Sequence, residues 1–305
     1  MEPLAIDAAP AARGQTRRPL PATDAKALII FNAKAGSVAP GDEEKLIDAV
    51  RAAGIDKFAL VGPEKLTEKL LRRARDFDVI IVLGGDGTAR SVAELAPRDG
   101  PPMILLPGGT LNVLPRALYG ERPWPEALKA ALERGVVRRL AAGKADGSPF
   151  FVAAIFGAPT LFARAREAAR EGRWLTAIRR FRFFTQRAFA RSLRARPGRD
   201  RAQRAAAVGV LCPSFSGEVA GDTLEWVRLD ASSLVDLARV SLRALGDGWR
   251  KDETIEIAQC KHGDIVSLGV IPAVLDGEPK TFVSRVHISY DPKGPRVIVV
   301  EDEEA

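Results

Sequence analysis

The chain has 305 residues, 46% of them hydrophobic and 28% charged, with a net charge of +7, two cysteines and two histidines. That is enough for two globular domains with proper cores. Cys212 and Cys260, without CxxC or Cys/His spacing, read as buried thiols, and the isolated His262 and His287 argue against a zinc site or a histidine-centred mechanism.

Residues 1–25 read as a disordered leader of Ala, Pro and Arg without the apolar segment of a signal peptide. Ala27–Phe31 then predicts a short buried strand, followed by the loop Asn32–Ser37 and a helix beginning at Asp42. The cycle repeats with a strand at Lys57–Val61, a helix at Glu64–Arg75 and a strand at Val79–Leu83. After Gly84-Gly85-Asp86-Gly87-Thr88 come a helix to about Leu95 and a strand at Met103–Leu106. Strands alternating with helices of this length require crossover connections and hence a parallel sheet, whose ligands sit beyond the carboxyl ends of the strands.

From about Val136 the pattern becomes β-rich, with runs at Phe150–Phe156, Ala206–Cys212, Thr223–Leu229, Thr254–Ala258, Ile265–Leu268, Pro272–Leu275, Phe282–Ser289 and Arg296–Val300. These predict an antiparallel, sandwich-like second domain interrupted by helical insertions at about 159–195 and 232–245. The expected fold class is therefore α/β: a doubly wound parallel-sheet domain over residues 26–135 and a β-rich, sandwich-like domain over 136–305. The last strand is free to return to the first domain.

Three loops carry chemistry. In Leu83–Thr88 a strand end, glycines that let backbone N–H groups approach an anion, and a helix start make a phosphate cradle. Asp86 adds a carboxylate suited to a Mg²⁺ held on phosphate oxygens, and the same residues also fit a tight turn with an aspartate cap. Leu106-Pro107-Gly108-Gly109-Thr110-Leu111-Asn112 again ends a strand and opens a helix, so two loops at neighbouring strand ends can grip one polyphosphate. Late in the chain, Asp276-Gly277-Glu278 places two carboxylates at i and i+2, which share a face if the segment is extended. One would accept a hydroxyl proton and the other orient it. Asp-Gly is equally the signature of a two-residue hairpin turn.

The order of the Asn32–Ser37 loop, GGDGT at 84–88, GGTLN at 108–112 and the distant DGE at 276–278 resembles the diacylglycerol kinase catalytic-domain family, which includes sphingosine and ceramide kinases and bacterial lipid kinases. The resemblance implies an ATP-binding domain and a lipid-binding domain with a cleft between them, and ATP and Mg²⁺ as cofactors. It places Asn32, Gly36, Ser37, Gly84, Gly85, Asp86, Gly87, Thr88, Gly109, Thr110 and Asn112 around the nucleotide, and makes Glu278 or Asp276 the general base, with Asp86 beside the chemistry. The turn at Gly221-Asp222-Thr223-Leu224 is similar to a DDGxL turn holding a structural Mg²⁺ in bacterial relatives, which would make Asp222 a ligand, although Gly221 and Thr223 depart from it. The family continues GGDGT as LNE where this chain has Ala89-Arg90-Ser91, so Arg90 becomes a phosphate contact, and Val113 replaces an aspartate. An NAD kinase shares GGDGT but not GGTLN or the late DGE, a fructose-phosphate kinase lacks its arginine and histidine set here, and an inactive lipid-binding module is the reading from another class.

No stretch approaches the ~20 apolar residues of a membrane-spanning helix, so the expectation is a cytoplasmic protein peripherally attached to the inner membrane face. From Arg164 to Arg204 fourteen arginines face three acidic residues, a surplus of 11 in a chain whose total is +7. Within that segment Trp174, Ile178, Phe181 and Phe184 recur at helical spacing among Arg173, Arg179, Arg180, Arg182 and Arg187. Such a helix would lie on an anionic bilayer, its expected contacts being Trp174, Arg179, Arg180, Phe181 and Arg182. The rival is a helix packed by its aromatic stripe on the β domain. No nucleic-acid motif accompanies the charge. Sequence leaves the lipid, Mg²⁺ versus Mn²⁺, and the oligomeric state open.

Overall fold

The computed structural model describes residues 24–110, 112–157, 193–216, 221–229 and 254–300. Most of the expected leader, most of the first expected helical insertion and all of the second, and with them Trp174, Arg179, Arg180, Phe181 and Arg182, lie outside the described residues.

The first sheet contains β1 (Lys26–Phe31), β2 (Lys57–Val61), β3 (Val79–Gly84), β4 (Met103–Pro107), β5 (Val136–Arg139) and β16 (Arg296–Val299), in the order β2, β1, β3, β4, β16, β5. Strands β1 to β4 and β16 pair in parallel, and β5 runs antiparallel to β16. The apolar runs of β1, β3 and β4 are almost wholly buried, as a parallel sheet covered on both faces requires. Helices α1 (Asp42–Ala52), α2 (Glu68–Arg73), α3 (Asp86–Leu95), α4 (Val113–Tyr119) and α5 (Trp124–Arg134) accompany it. The chain steps from β1 outward to β2 and then back to β3 on the other side of β1, so the strand order reverses between β1 and β3, where such sheets bind ligands.

The second sheet takes β6 (Ala142–Ala145), β7 (Ser148–Phe150), β8 (Ala153–Gly157), β9 (Leu193–Pro197), β10 (Gln203–Ala205), β11 (Ala207–Leu211), β12 (Leu224–Leu229), β13 (Ile255–Cys260), β14 (His262–Leu275) and β15 (Glu278–Asp291), all pairing antiparallel. Its long hairpin β14–β15 is bent. The register shifts between Val266 and Val270, and Ser284 has φ +59°. The first half of β14 pairs with β9 and the second with β8, so one hairpin serves both layers of a sandwich. Ile265, Val286 and Ile288 from one layer and Phe156, Val210, Ile271 and Leu275 from the other share one core. Both ends of β15 return to the first sheet's body: Glu278 meets Arg90 and Asp291 meets Arg98, only eight residues further on. A straight strand of that length would run about 46 Å.

Several local expectations change. Residues 193–195, expected as the end of a helix, are strand, because Leu193 and Ala195 are buried while Arg194 and Arg196 are exposed, a period of two. The helix expected at 64–75 is broken: a short 3₁₀ turn precedes Thr67, whose hydroxyl accepts from Leu70 N and starts α2 afresh. The run at 150–156 is two strands, β7 and β8, whereas 265–268 and 272–275 are one. Cys212 is buried as expected, but Cys260 is only half-buried. Helix α5 was not foreseen.

Candidate active site

The three glycine loops follow β1, β3 and β4 and pack on one another. Asn32 Nδ2 donates to Thr88 Oγ1 at 2.9 Å, joining the first loop to the second. Ser37 ties the first loop to the third, its N–H to Gly108 O at 3.0 Å and its hydroxyl to Gly109 O at 3.0 Å. Gly108 N donates to Gly84 O at 2.9 Å, and Asn112 closes the third loop by accepting from Gly109 N and donating to Gly109 O. A Cβ on Gly109 would stand 2.8 Å from Gly85 Cα, and one on Gly36 would stand 2.8 Å from Thr110 Oγ1. Gly109 is thus required by close approach of two backbones, and Gly36 by the Thr110 side chain.

Asp86 occupies the first position of α3, and its Oδ1 lies 3.4 Å from Leu114 N in the first turn of α4. Thr88 and Ala89 donate to Gly85 O, whereas the earliest N–H groups of a helix have no intrahelical acceptor and favour an anion. Tyr119, fully buried, accepts from Leu105 N at 3.1 Å and fixes α4 on β4 beneath the third loop. Beside that loop opens a cavity of about 310 Å³ lined by Ser37, Pro107, Asn112, Arg116 and Trp124 among others.

Four residues past Asp86, on the same face of α3, stands Arg90. Its side chain is 6% exposed, its Nη1 lies 2.6 Å from Glu278 Oε2, its Nη2 3.3 Å from Glu94, and its Nε 3.8 Å from Asp276. The guanidinium expected to meet phosphate is committed to carboxylates, and its buried Nε has no hydrogen-bond partner among the described residues. Sequence reasoning did not pair Arg90 with the DGE motif, and its only signal was a long cation on the cradle helix.

Of the two readings of 276–278, extended pair or hairpin turn, the structure takes the turn. Leu275 pairs with Glu278, and Asp276 (φ +47°) and Gly277 (φ +89°) form a two-residue turn with both central residues left-handed. The rule that i and i+2 share a strand face does not apply there, yet both carboxylates reach Arg90. Asp276 accepts from three consecutive backbone amides: Phe151 N at 2.7 Å, Val152 N at 2.9 Å and Ala153 N at 2.9 Å. Burial pushes its carboxyl above the usual range, while those amides and Arg90 pull it back. The amides belong to the bend between β7 and β8, where Phe150 enters the second core and Phe151 the first, so Asp276 sits at the seam of the two bodies. Glu278 is 51% exposed at its side chain, and its Oε1 makes no ion pair among the described residues.

The remaining expected residues stand apart. Asp222 is a surface carboxylate 3.2 Å from Lys261 Nζ. No group of three or more His, Cys, Asp or Glu side chains that could hold a metal exists among the described residues, so Asp222 has no metal-ligand set there. No described helix is long and apolar enough to cross a membrane.

Residues 26–145, which contain all three glycine loops, match the family described as the diacylglycerol kinase catalytic domain. A diacylglycerol kinase of Bacillus subtilis (strain 168) is 42% identical over 80 residues, 25% of this chain and 26% of that protein, so the aligned part spans about a quarter of the curated relative's length. Among solved structures, a diacylglycerol kinase from Bacillus anthracis str. Sterne is similar at 17% identity and a TM-score of 0.64 over 92% of this chain and 98% of that one. An NAD kinase from Archaeoglobus fulgidus, solved in complex with ATP, is similar at 14% identity and a TM-score of 0.52 over 90% of this chain and 94% of that one. At such identities the structural likeness speaks for the fold. Over residues 26–145, its glycine-loop domain, the chain is similar to the diacylglycerol kinase catalytic-domain family.

Proposed function

We propose that the protein is an ATP-dependent lipid kinase that transfers a γ-phosphoryl group to the primary hydroxyl of a diacylglycerol- or ceramide-type lipid. The observation that carries this reading is Arg90, which holds Glu278 one helical turn from the glycine cradle at Asp86. A phosphate site and a proton acceptor therefore face one another across the seam between the two sheets.

The residues present fit a nucleotide polyphosphate. Gly85 and Gly109 bring two backbones together where a Cβ on Gly109 would not fit, and the first-turn amides of α3 supply donors to phosphate oxygens. They also fit a Mg²⁺ held mainly by phosphate and water, for which Asp86 is the carboxylate at the cradle. When bound, the metal neutralises charge on the transferring phosphoryl group.

Glu278 is assigned as the base and Asp276 as the anchor. Both Asp276 oxygens already accept backbone amides, whereas Glu278 uses one oxygen on Arg90 and has the other for a hydroxyl. Glu278 takes the lipid hydroxyl proton as that oxygen bonds to the γ-phosphorus, and the bond to the β–γ bridging oxygen breaks with its electrons leaving on ADP. Catalysis is then mostly positioning and charge stabilisation. The test is incubation with γ-labelled ATP and Mg²⁺ or Mn²⁺ against detergent-dispersed diacylglycerol, ceramide and sphingoid bases, with NAD alongside. Labelled, solvent-extractable lipid is expected. Label on NAD alone, or on no acceptor, would sink the assignment.

A further inference from the structure

Among the described residues five large apolar side chains are exposed, and three of them, Leu268, Val270 and Val283, gather at the bend of the β14–β15 hairpin. Leu268 is 106% exposed and Val283 72%. Behind this crest the outward face of the sheet is basic. Arg194 and Arg285 flank Val266 from either side, and one row further Arg196 and His287 flank Asp264. All of these point away from the core, which takes the alternate residues Ala195, Ile265, Val286 and Ile288. Asp264 gathers Arg285 at 2.9 Å, Arg196 at 2.9 Å and His287 at 3.0 Å, so a single carboxylate spaces the two arginines without cancelling both. The adjoining β9–β10 hairpin carries Arg194, Arg196, Arg199, Arg201 and Arg204 against Asp200 alone.

We propose that this bend is a membrane-docking face: Leu268, Val270 and Val283 enter the interface of an anionic bilayer while Arg194, Arg196 and Arg285 engage its headgroup phosphates. A projecting apolar tip on a basic collar matches the polarity gradient of such a surface. A nucleic acid would have no use for the crest, and a protein partner would have to match both tip and collar. The proposal deepens the lipid-kinase reading and rests on it for the source of the bilayer. Val283 lies five residues from Glu278 on β15, roughly 17 Å of extended chain, which sets the acceptor carboxylate within reach of a lipid drawn from the docked leaflet.

The experiment is sedimentation of the full chain with phosphatidylcholine vesicles, with and without phosphatidylglycerol, in the absence of ATP. Binding to the anionic vesicles alone is expected. The double variant Leu268→Glu/Val283→Glu and the single variant Arg194→Glu, both with unchanged Tm, are each expected to weaken it roughly tenfold. Wild-type binding by the double variant would overturn the proposal. So would a Leu268→Trp variant whose added emission does not shift to the blue on mixing with anionic vesicles, or a solution dimer that Leu268→Glu dissociates, since the crest would then cover a second copy. Because sedimentation requires no turnover, a chain that binds in this way yet phosphorylates no lipid would remove the kinase assignment and leave the docking face standing.

Discussion

Arg90 and Glu278, 188 positions apart in sequence, meet at 2.6 Å. Their contact joins the helix that begins in the GGDGT loop to the hairpin that ends in DGE, and both proposed halves of the reaction depend on it. Replacing Arg90 by Met removes a buried cation facing three carboxylates, one of them itself buried, and is expected to cost about 2 kcal/mol in denaturant unfolding. Turnover should fall with it, because Glu278 loses its guide. Arg90→Lys restores charge but not the fork that reaches Glu94, Asp276 and Glu278 together, so it should recover less than half of the stability.

Glu278→Gln separates proton transfer from structure. The base assignment predicts a Tm close to wild type, undiminished ATP affinity and a kcat lower by at least about 10². Near-normal turnover would exclude Glu278 from the chemistry.

Asp276→Asn is expected to do the opposite. An amide presents one oxygen and an NH₂ group to three N–H donors, leaving at least one buried donor unmet at a cost of about 1–3 kcal/mol. The variant should unfold at clearly lower denaturant, and any activity that survives should retain wild-type ATP affinity.

Gly109→Ala tests the packing of the loops. The added methyl would stand 2.8 Å from Gly85 Cα, a contact with backbone rather than with a flexible side chain. Loss of nucleotide affinity beyond tenfold is expected, with about 1–3 kcal/mol of destabilisation, whereas Gly87→Ala, whose Cβ meets nothing within 4 Å, should leave stability nearly unchanged.

Asp264 gives a pH dependence of known sign. Burial raises its pKa, but hydrogen bonds from His287, Arg285 and Arg196 together outweigh burial and hold it at about 2, below the ordinary 3.8. Its stabilising contribution is therefore complete above the unfolded value and is lost as pH falls from about 4 toward 2. Since the partners are half in solvent, the loss should be only about 1 kcal/mol. Urea unfolding of wild type and Asp264→Asn across that window should show the difference between them shrinking as pH falls.

The parallel sheet was legible because its strands are continuous apolar runs and its loops carry glycine where strand gives way to helix. Local pattern located all three loops, though not why their glycines are needed, since Gly85 meets Gly109 across two strand ends. The DGE motif offered both an extended acidic pair and a two-residue hairpin turn, and the turn is what forms. Nothing in the triplet reveals that amides at 151–153 hold Asp276. Residues 193–195 were absorbed into a helix by the arginine-rich run before them, although Leu-Arg-Ala-Arg already alternates.

Strand β16 lies between β4 and β5, so the outer part of the first sheet closes only with residues 296–299. On a ribosome the opening hundred or so residues emerge with β4 still lacking its neighbour, and the whole sandwich must be synthesised before that gap is filled. The first sheet is thus completed last, by a strand that follows every strand of the second, and a fragment ending before residue 296 would carry an open flank beside β4.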